Sequence, residues 1–498
     1  MNKTVKSILV AVSAVMLISS CHGDLDIQYG MTLNSTTMWK DPSDLEKSVP
    51  AIYLRLRAFF AQDECNVFYL GELRVGDYMW GPSLESKVQD NFKGNVQHST
   101  LSGSQTVGWS GLFSTIDQAN AVLLHSGDCR ATAEKVAWAN AHAYFARAYC
   151  YFWAARIWGY CPVNLLPVES QTQPECYPEQ RTPADLYAQV ESDILACEEC
   201  GDVLGSSKYL GTKDALNMLK AEYALWMYRT QQSDPRFLTM ASEALSAIGI
   251  SNSRLLANYA DVFDRTKKVN QEIVFALNNT ATSKAGYQIY FCQPADKIAA
   301  AYQNKNGGPV PISSTQWWSY TQNFVDILKA SESAGDKRVK TNLGYGPYSS
   351  AADKHEITWC NKLLGDMSVS PVVLDNDLIY YRYALAVMMD AELKYYQLDY
   401  EGALKSLNLI AKRAYGVDNK YTSKNPDDVL KAITDEYVLE FPAEGVIWFA
   451  LIRLGQLEKY NPAITTFKAK NPNILLWPIA NGSINKNPGK IKQVEGWA

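Results

Sequence analysis

Two stretches of this 498-residue chain gather aromatic rings beside hydrogen-bonding side chains where no helical period accounts for them. The first, Gly71 to Gly108, carries Tyr78 and Trp80 close to Arg74, Asp77 and Asn91. The second, within residues 250–377, carries Trp317, Trp318 and Tyr320 beside Gln316, Gln322 and Asn323, with Tyr287 and Tyr290 as weaker candidates. Such sets offer recognition, not bond making. Ring faces cover apolar ligand surface, while amide, carboxylate and guanidinium groups take the polar atoms. Trp317 and Trp318 are adjacent and cannot face the same way on a strand or helix, so at least one is expected at the surface. Trp80, between Gly76 and Pro82, is expected on a loop.

Other chemistry finds little support. Acidic residues are plentiful, but no motif pairs two carboxylates at the separation that glycoside hydrolysis needs. The five histidines are scattered. Cys197 and Cys200 have metal-like spacing, yet they lie on an amphipathic helical pattern with no second pair nearby, so no metal or cofactor is expected. A net charge of −5 gives no basic footprint for nucleic acid. The 30 Tyr and 13 Trp exceed what a core of this size usually requires, which favours surfaces that bind by flat contact.

The scaffold that must position these stretches reads as helical. Its centre is Glu134 to Val163, where Trp138, Phe145 and Phe152 recur every seven residues with small alanines between them. A helix apolar nearly all round is a buried one. Gly159 and Pro162 are expected to stop it. Cys150 and Cys161, in or beside this helix, read as small buried hydrophobes. Further helical patterns run over Ser43–Gln62, Trp109–His125, Ala184–Cys200, Thr212–Thr230 and Pro235–Ile248, then Leu378–Leu398, Tyr400–Tyr415 and Pro426–Glu440. Short strands are expected at Glu272–Leu277 and Gln288–Cys292. Successive helices joined by short turns are the material of tetratricopeptide-like hairpins. The fold class is therefore mostly α: a helical-hairpin scaffold bearing two long, irregular, partly β excursions at 71–108 and 250–377. Structureless length of that order is uncommon unless it has a function.

The first 20 residues read as a leader: Lys3 and Lys6, an apolar run from Ile8 to Ile18, then Ser19 and Ser20 before Cys21. A small residue just before Cys resembles a bacterial lipoprotein signal, which makes Cys21 the lipidated N-terminus. Residues 21–42 then serve as a tether and 43–498 as one domain. No later run is apolar for long enough to span a bilayer.

Phe145, Arg147, Ala148, Tyr149, Tyr151 and Phe152, followed by Trp158, Gly159 and Pro162, resemble the signature helix of the SusD/RagB family of outer-membrane lipoproteins. The similarity extends to Trp109–Leu123, to Tyr381, Arg382, Tyr383 and Ala384 with Arg413 and Ala414, and to Pro478, Ile479, Asn487 and Pro488. The chain departs from the family pattern at Tyr437, Ala443, Ile447 and Ala450, and at Leu385 and Ala411, so several charges of a buried network are expected to be missing together.

The resemblance implies a surface-exposed lipoprotein of a Gram-negative, Bacteroidetes-type bacterium. It would capture an oligosaccharide and pass it to a SusC-like TonB-dependent outer-membrane barrel, with no catalysis. Sugar binding asks for an arc of rings flanked by polar groups. On this reading Arg74, Asp77, Tyr78, Trp80 and Asn91 meet that need on one excursion, and Trp317, Trp318 and Tyr320 on the other. Peptide capture, as in the RagB branch, is the alternative, and a glycosidase a distant third.

Overall fold

The computed structural model describes residues 38–61, 66–82, 107–280, 316, 318–347, 356–366, 369 and 373–497. The leader and most of the tether with Cys21, the ring residues Trp317, Tyr287 and Tyr290, Asn91 and the strand expected at 288–292 lie outside them.

Helix α1 (Pro42–Phe60) starts at a capping box in which Asp41 accepts from Ser43 N, and it runs on through Pro50. α2 (Ser110–His125) packs on it and on the central helix α3 (Ala133–Ile157), whose Thr132 hydroxyl accepts from Lys135 N as the N-cap. α4 (Pro183–Glu199) covers the next side of α3, followed by the pair α5 (Lys213–Trp226) and α6 (Arg236–Ile248). A second group is α8 (Tyr383–Tyr396), α9 (Tyr400–Tyr415) and α10 (Pro426–Glu440), preceded by α7 (Gln322–Ser333) and followed by α11 (Ile447–Arg453). The chain is mostly helical, as the periodicity predicts.

α3 is the structural axis. From Phe145 to Ile157 every residue is buried. Phe145 packs edge-on against Phe275, and a Cβ at Gly211 would press into the Phe145 ring. Trp138, expected to be buried with them, is only half-buried and carries the Lys135 ammonium 4.4 Å from its ring centroid. Arg147 fixes the neighbours: Nε and Nη2 donate to Asp193 of α4 at 2.9 and 2.6 Å, and Nη1 donates to Asn120 of α2 at 2.7 Å. Gly159 adopts φ 70° and ends the helix as expected. Cys150 and Cys161 are buried free thiols, and Cys197 is buried on α4 with its Sγ donating to Ala141 O, a packing role.

Two expectations are corrected. Leu378–Arg382 does not open the helix predicted over 378–398. It is strand β6, antiparallel to β2 (Ile273–Leu277), and α8 starts only at Tyr383. A run of β-branched and aromatic side chains buried on both sides suits a strand better than a helix start. The buried charge network, expected to be depleted, is present. Arg338 donates to Glu436, Glu440 and Asp336 at 2.6, 2.9 and 2.8 Å; Arg382 donates to Glu440 and Glu444 at 2.6 Å each; Arg413 donates to Glu272 at 2.8 Å. A second cluster joins Arg453 to Glu392 and Arg156 to Glu222. The departures at Tyr437 and Ala443 are filled by apolar contacts and by Tyr437 donating to Glu392 at 3.0 Å, so the remaining charges keep partners.

Candidate functional site

The two excursions meet. β1 (Trp80–Pro82) pairs antiparallel with β3 (Trp318–Tyr320), Trp80 opposite Tyr320 and Pro82 opposite Trp318. β3 is followed by Thr321, whose N and Oγ1 donate to Met79 O and Tyr78 O at 2.9 and 3.0 Å and lock the ribbon. β5 (Glu356–Cys360) packs against β3 through side chains: Gln316 Nε2 donates to Thr358 O at 2.9 Å and Thr358 Oγ1 donates to Tyr320 O at 3.1 Å. β4 (Leu343–Pro347) is the antiparallel partner of β5. The result is a small patch of two separate two-stranded ribbons, β1–β3 and β4–β5, beside α7.

The aromatic residues form the floor of this patch, not an open platform. Trp80 is 0% exposed, Trp318 3% and Tyr320 4%. The Trp80 indole lies tilted against Tyr320 at 4.4 Å and meets Phe68 edge-on at 4.7 Å, while Tyr320 packs on Phe324 of α7 at 5.1 Å. Alternation explains this: Trp80, Trp318 and Tyr320 share the face turned to the core. Their expected role as ligand-contacting surface is corrected to that of a rigid support. Tyr78 is half-buried between Tyr460 and Phe324, and burial pushes its phenol up to about 12. The Asp77 side chain lies outside the described set, with Asn91 and Trp317.

Arg74 is not a ligand clamp either. Its guanidinium is buried and donates to Leu475 O and Leu476 O at 3.3 and 3.1 Å and to Ile474 O, with the rings of Trp448, Trp477 and Trp497 at 4.9, 5.5 and 5.9 Å. Burial lowers it to about 9. Carbonyls and indole faces, not a carboxylate, hold the cation.

Sequence reasoning missed Glu72. Its carboxylate is buried and accepts from Trp80 Nε1 and Ala443 N at 2.8 Å each and from Gly445 N at 3.1 Å. Burial pushes it up to about 7 against the pull of these donors and of Lys362. Two glycines let the segments touch: a Cβ on Gly71 would collide with the Gly445 carbonyl, and one on Gly445 would sit 2.5 Å from Val67 O. The signal available was a lone acid two residues before Arg74 in the otherwise uncharged stretch Tyr69–Val75. Tyr345, exposed on β4 between Gly344 and Gly346, was also passed over.

Grooves elsewhere look less suited. One of about 550 Å3 runs along α9, but its charges are largely spent on each other, Lys412 on Asp418 and Lys424 on Glu401. Among the described residues no group of His, Cys, Asp and Glu could hold a metal ion, and no helix is long and apolar enough to cross a membrane.

A scaffold of helical pairs carrying a strand patch at the junction of two excursions can be compared with known proteins. The profile described as "SusD family" matches residues 357–497, and that described as "Starch-binding associating with outer membrane" matches residues 67–216. The chain is a member of the SusD-like family. It is similar to SusD-like protein P38 of Formosa agariphila, at 22% identity over 96% of both chains. The fold matches B. fragilis NanU with a TM-score of 0.76 and 22% identity over 94% of this chain and 99% of that one. It also matches surface glycan-binding protein A from Bacteroides thetaiotaomicron in complex with laminarihexaose, with a TM-score of 0.70 and 18% identity over 91% and 99%. The SusD-like matches span both halves of the chain, including the central helix and the tail around Arg74.

Proposed function

We propose that this SusD-like protein is a surface lipoprotein, anchored in the outer membrane through Cys21, that binds an oligosaccharide and delivers it to a TonB-dependent barrel without altering it. Residues 43–498 would act as one domain behind the tether. The observation that carries the reading is the convergence of the two excursions on the β1–β3 ribbon, whose buried rings make a stiff base on one side of the helical scaffold. A rigid base is what recognition of a flexible chain requires, because less ordering entropy is lost on binding. The family description as starch-binding and the laminarihexaose complex of the Bacteroides relative favour a glycan over a peptide. Binding without hydrolysis suits the acids of the scaffold, since Glu272, Glu436, Glu440 and Glu444 are all engaged by arginines.

The test is calorimetric titration of the purified mature protein against an oligosaccharide panel (laminarihexaose, maltohexaose, cellohexaose, xylohexaose, sialyllactose) and against a peptide pool. Saturable heat with an oligosaccharide, and the same sugar recovered intact, is the expected result. Binding confined to peptides moves the protein to the RagB-like reading. New reducing ends after incubation would restore the glycosidase.

A further inference from the structure

We propose that residues 24–33 of the tether dock, as an extended segment, along an apolar groove on the connection between α3 and α4. Five of the twelve exposed large apolar side chains among the described residues gather on this connection and the adjoining end of α2. They are Leu124, Leu165, Leu166, Val168 and Tyr177, each between 42% and 54% exposed. Scattered apolar side chains are ordinary on a surface, but a cluster asks for a cover. Hydrogen bonds tie the set together. Asn120 Nδ2 donates to Asn164 O and Leu166 O at 3.0 and 3.3 Å, and Val168 N donates to Asp117 at 2.7 Å. Asp117, Asn120 and Leu124 follow at helical spacing and share one face of α2. Beside them Leu165, Leu166, Tyr177 and Pro178, with Arg181 and Lys490, line a groove of about 420 Å3.

The occupant follows from where the described chain starts. Met38 is its first residue, and Trp39 is already fixed to this face of the molecule. The Trp39 ring is buried and stacks on His125 at 5.3 Å, and His125 Nε2 lies 2.7 Å from Glu169 Oε1, on the residue after Val168. Trp39 takes φ 68°, a bend that a large side chain adopts only when its ring is held. Along α2, five residues, or about 7.5 Å, separate His125 from Asn120, which holds Leu166. Residues 24–37 reach about 45 Å when extended, several times that separation. The upstream chain thus enters at the edge of the groove with length to spare.

The sequence of the segment fits such a groove. Leu25, Ile27, Tyr29, Met31 and Leu33 alternate with the polar or small residues between Asp24 and Asn34. In an extended segment alternate side chains point to opposite sides, so one side is apolar throughout and the other is not. A plain spacer has no use for an apolar side, which gains nothing while it faces water. A second copy or another protein competes poorly for the groove, because residues 24–33 are already attached beside it at high effective concentration. Docking leaves only His22 and Gly23 between Cys21 and the body, which turns the α3–α4 connection towards the membrane. That consequence rests on the lipoprotein reading; the docking itself does not.

The test is hydrogen exchange of the purified mature protein, read by mass spectrometry on peptides spanning residues 24–33, with a synthetic peptide of that sequence as the undocked reference. The segment in the parent protein is expected to exchange at least about tenfold more slowly than the free peptide. Leu166→Asp in the groove and Ile27→Asp in the segment should each remove that protection. Leu398→Asp, at an exposed site just after α8, should not. Should Leu166→Asp disturb folding, Ile27→Asp carries the same reading, because it lies in the tether and not in the body. Exchange in the parent equal to that of the peptide, or protection that survives both aspartates, overturns the proposal. A parent that sediments as a dimer, is monomeric as Leu166→Asp and leaves residues 24–33 unprotected also overturns it, and gives the groove to a second copy.

Discussion

The Trp80 indole donates to Glu72 Oε1 at 2.8 Å, and the same oxygen accepts from Ala443 N, so one carboxylate clamps the first excursion to a turn 371 residues further along. Trp80 is therefore a keystone of packing. Trp80→Ala should destabilise the protein by about 3–5 kcal/mol, through lost burial and the cavity left behind. Urea unfolding checks it, and a change within a few tenths of a kcal/mol would return Trp80 to the surface.

Glu72 should make stability fall as the solution becomes more basic. Its folded value of about 7 stands above the ordinary 4.5, so the native state holds the proton more tightly than the unfolded chain. The contribution is full below about pH 4.5 and is lost as pH rises through about 7. At most about 3–4 kcal/mol is involved, from the shift at roughly 1.4 kcal/mol per pH unit. Glu72→Gln removes the titration and stands in for the protonated form, so the stability of the parent relative to the variant, measured by denaturant, should fall between pH 5 and pH 8. A constant difference would show that Glu72 keeps one protonation state throughout.

Arg74 has no acidic partner among its bonds and depends on geometry. Arg74→Lys should fail to substitute, because an ammonium cannot lie flat among three indoles while reaching three carbonyls. A loss of about 2–4 kcal/mol is expected, from charged hydrogen bonds and orphaned carbonyls. Limited proteolysis should show new cleavage around Ile474–Trp477; an uncut tail in the variant would refute the latch.

Acid should act at the Arg338 cluster. Burial alone would push Glu440 up, but Arg413, Arg382 and Arg338 hold it well below the usual carboxylate range. That stability is present above about pH 4.5 and is lost as pH falls towards the depressed value. Arg338→Met leaves Asp336, Glu436 and Glu440 short of a cation, costs about 3–5 kcal/mol, and should move the acid-unfolding midpoint to higher pH. An unmoved midpoint would mean that the remaining arginines suffice.

Cys21→Ala should leave the protein unprocessed or soluble. Membrane fractionation with fatty-acid labelling decides it: a variant that still sediments with membranes and takes up label ends the lipoprotein reading.

The helical scaffold was legible because its signal is local. Ala and aromatic residues at seven-residue spacing mark α3. The ribbon was not legible. Trp80 and Trp318 were read as loop rings because each stretch was weighed alone, while their burial arises from pairing across 236 to 240 positions, visible only when Pro82 meets Trp318 and Trp80 meets Tyr320. The same blindness hid β6, whose partner β2 is about a hundred residues upstream. The two excursions meet in the strand pairing. Which side of that pairing faces water was not legible either, since a three-residue strand is too short for its alternation to announce a buried face.

The latch on Arg74 also sets an order of events. Three carbonyls and two of the indoles that cage it belong to residues 474–497, and its own turn is made some 400 residues earlier. Until residues 474–497 have been delivered, the guanidinium and the indole cage lack these partners, and long-range closures of this kind are slow to form. This part of the fold thus closes only after that stretch has been made. A nascent chain held up short of Ile474 presents unsheltered tryptophan to whatever chaperone receives it.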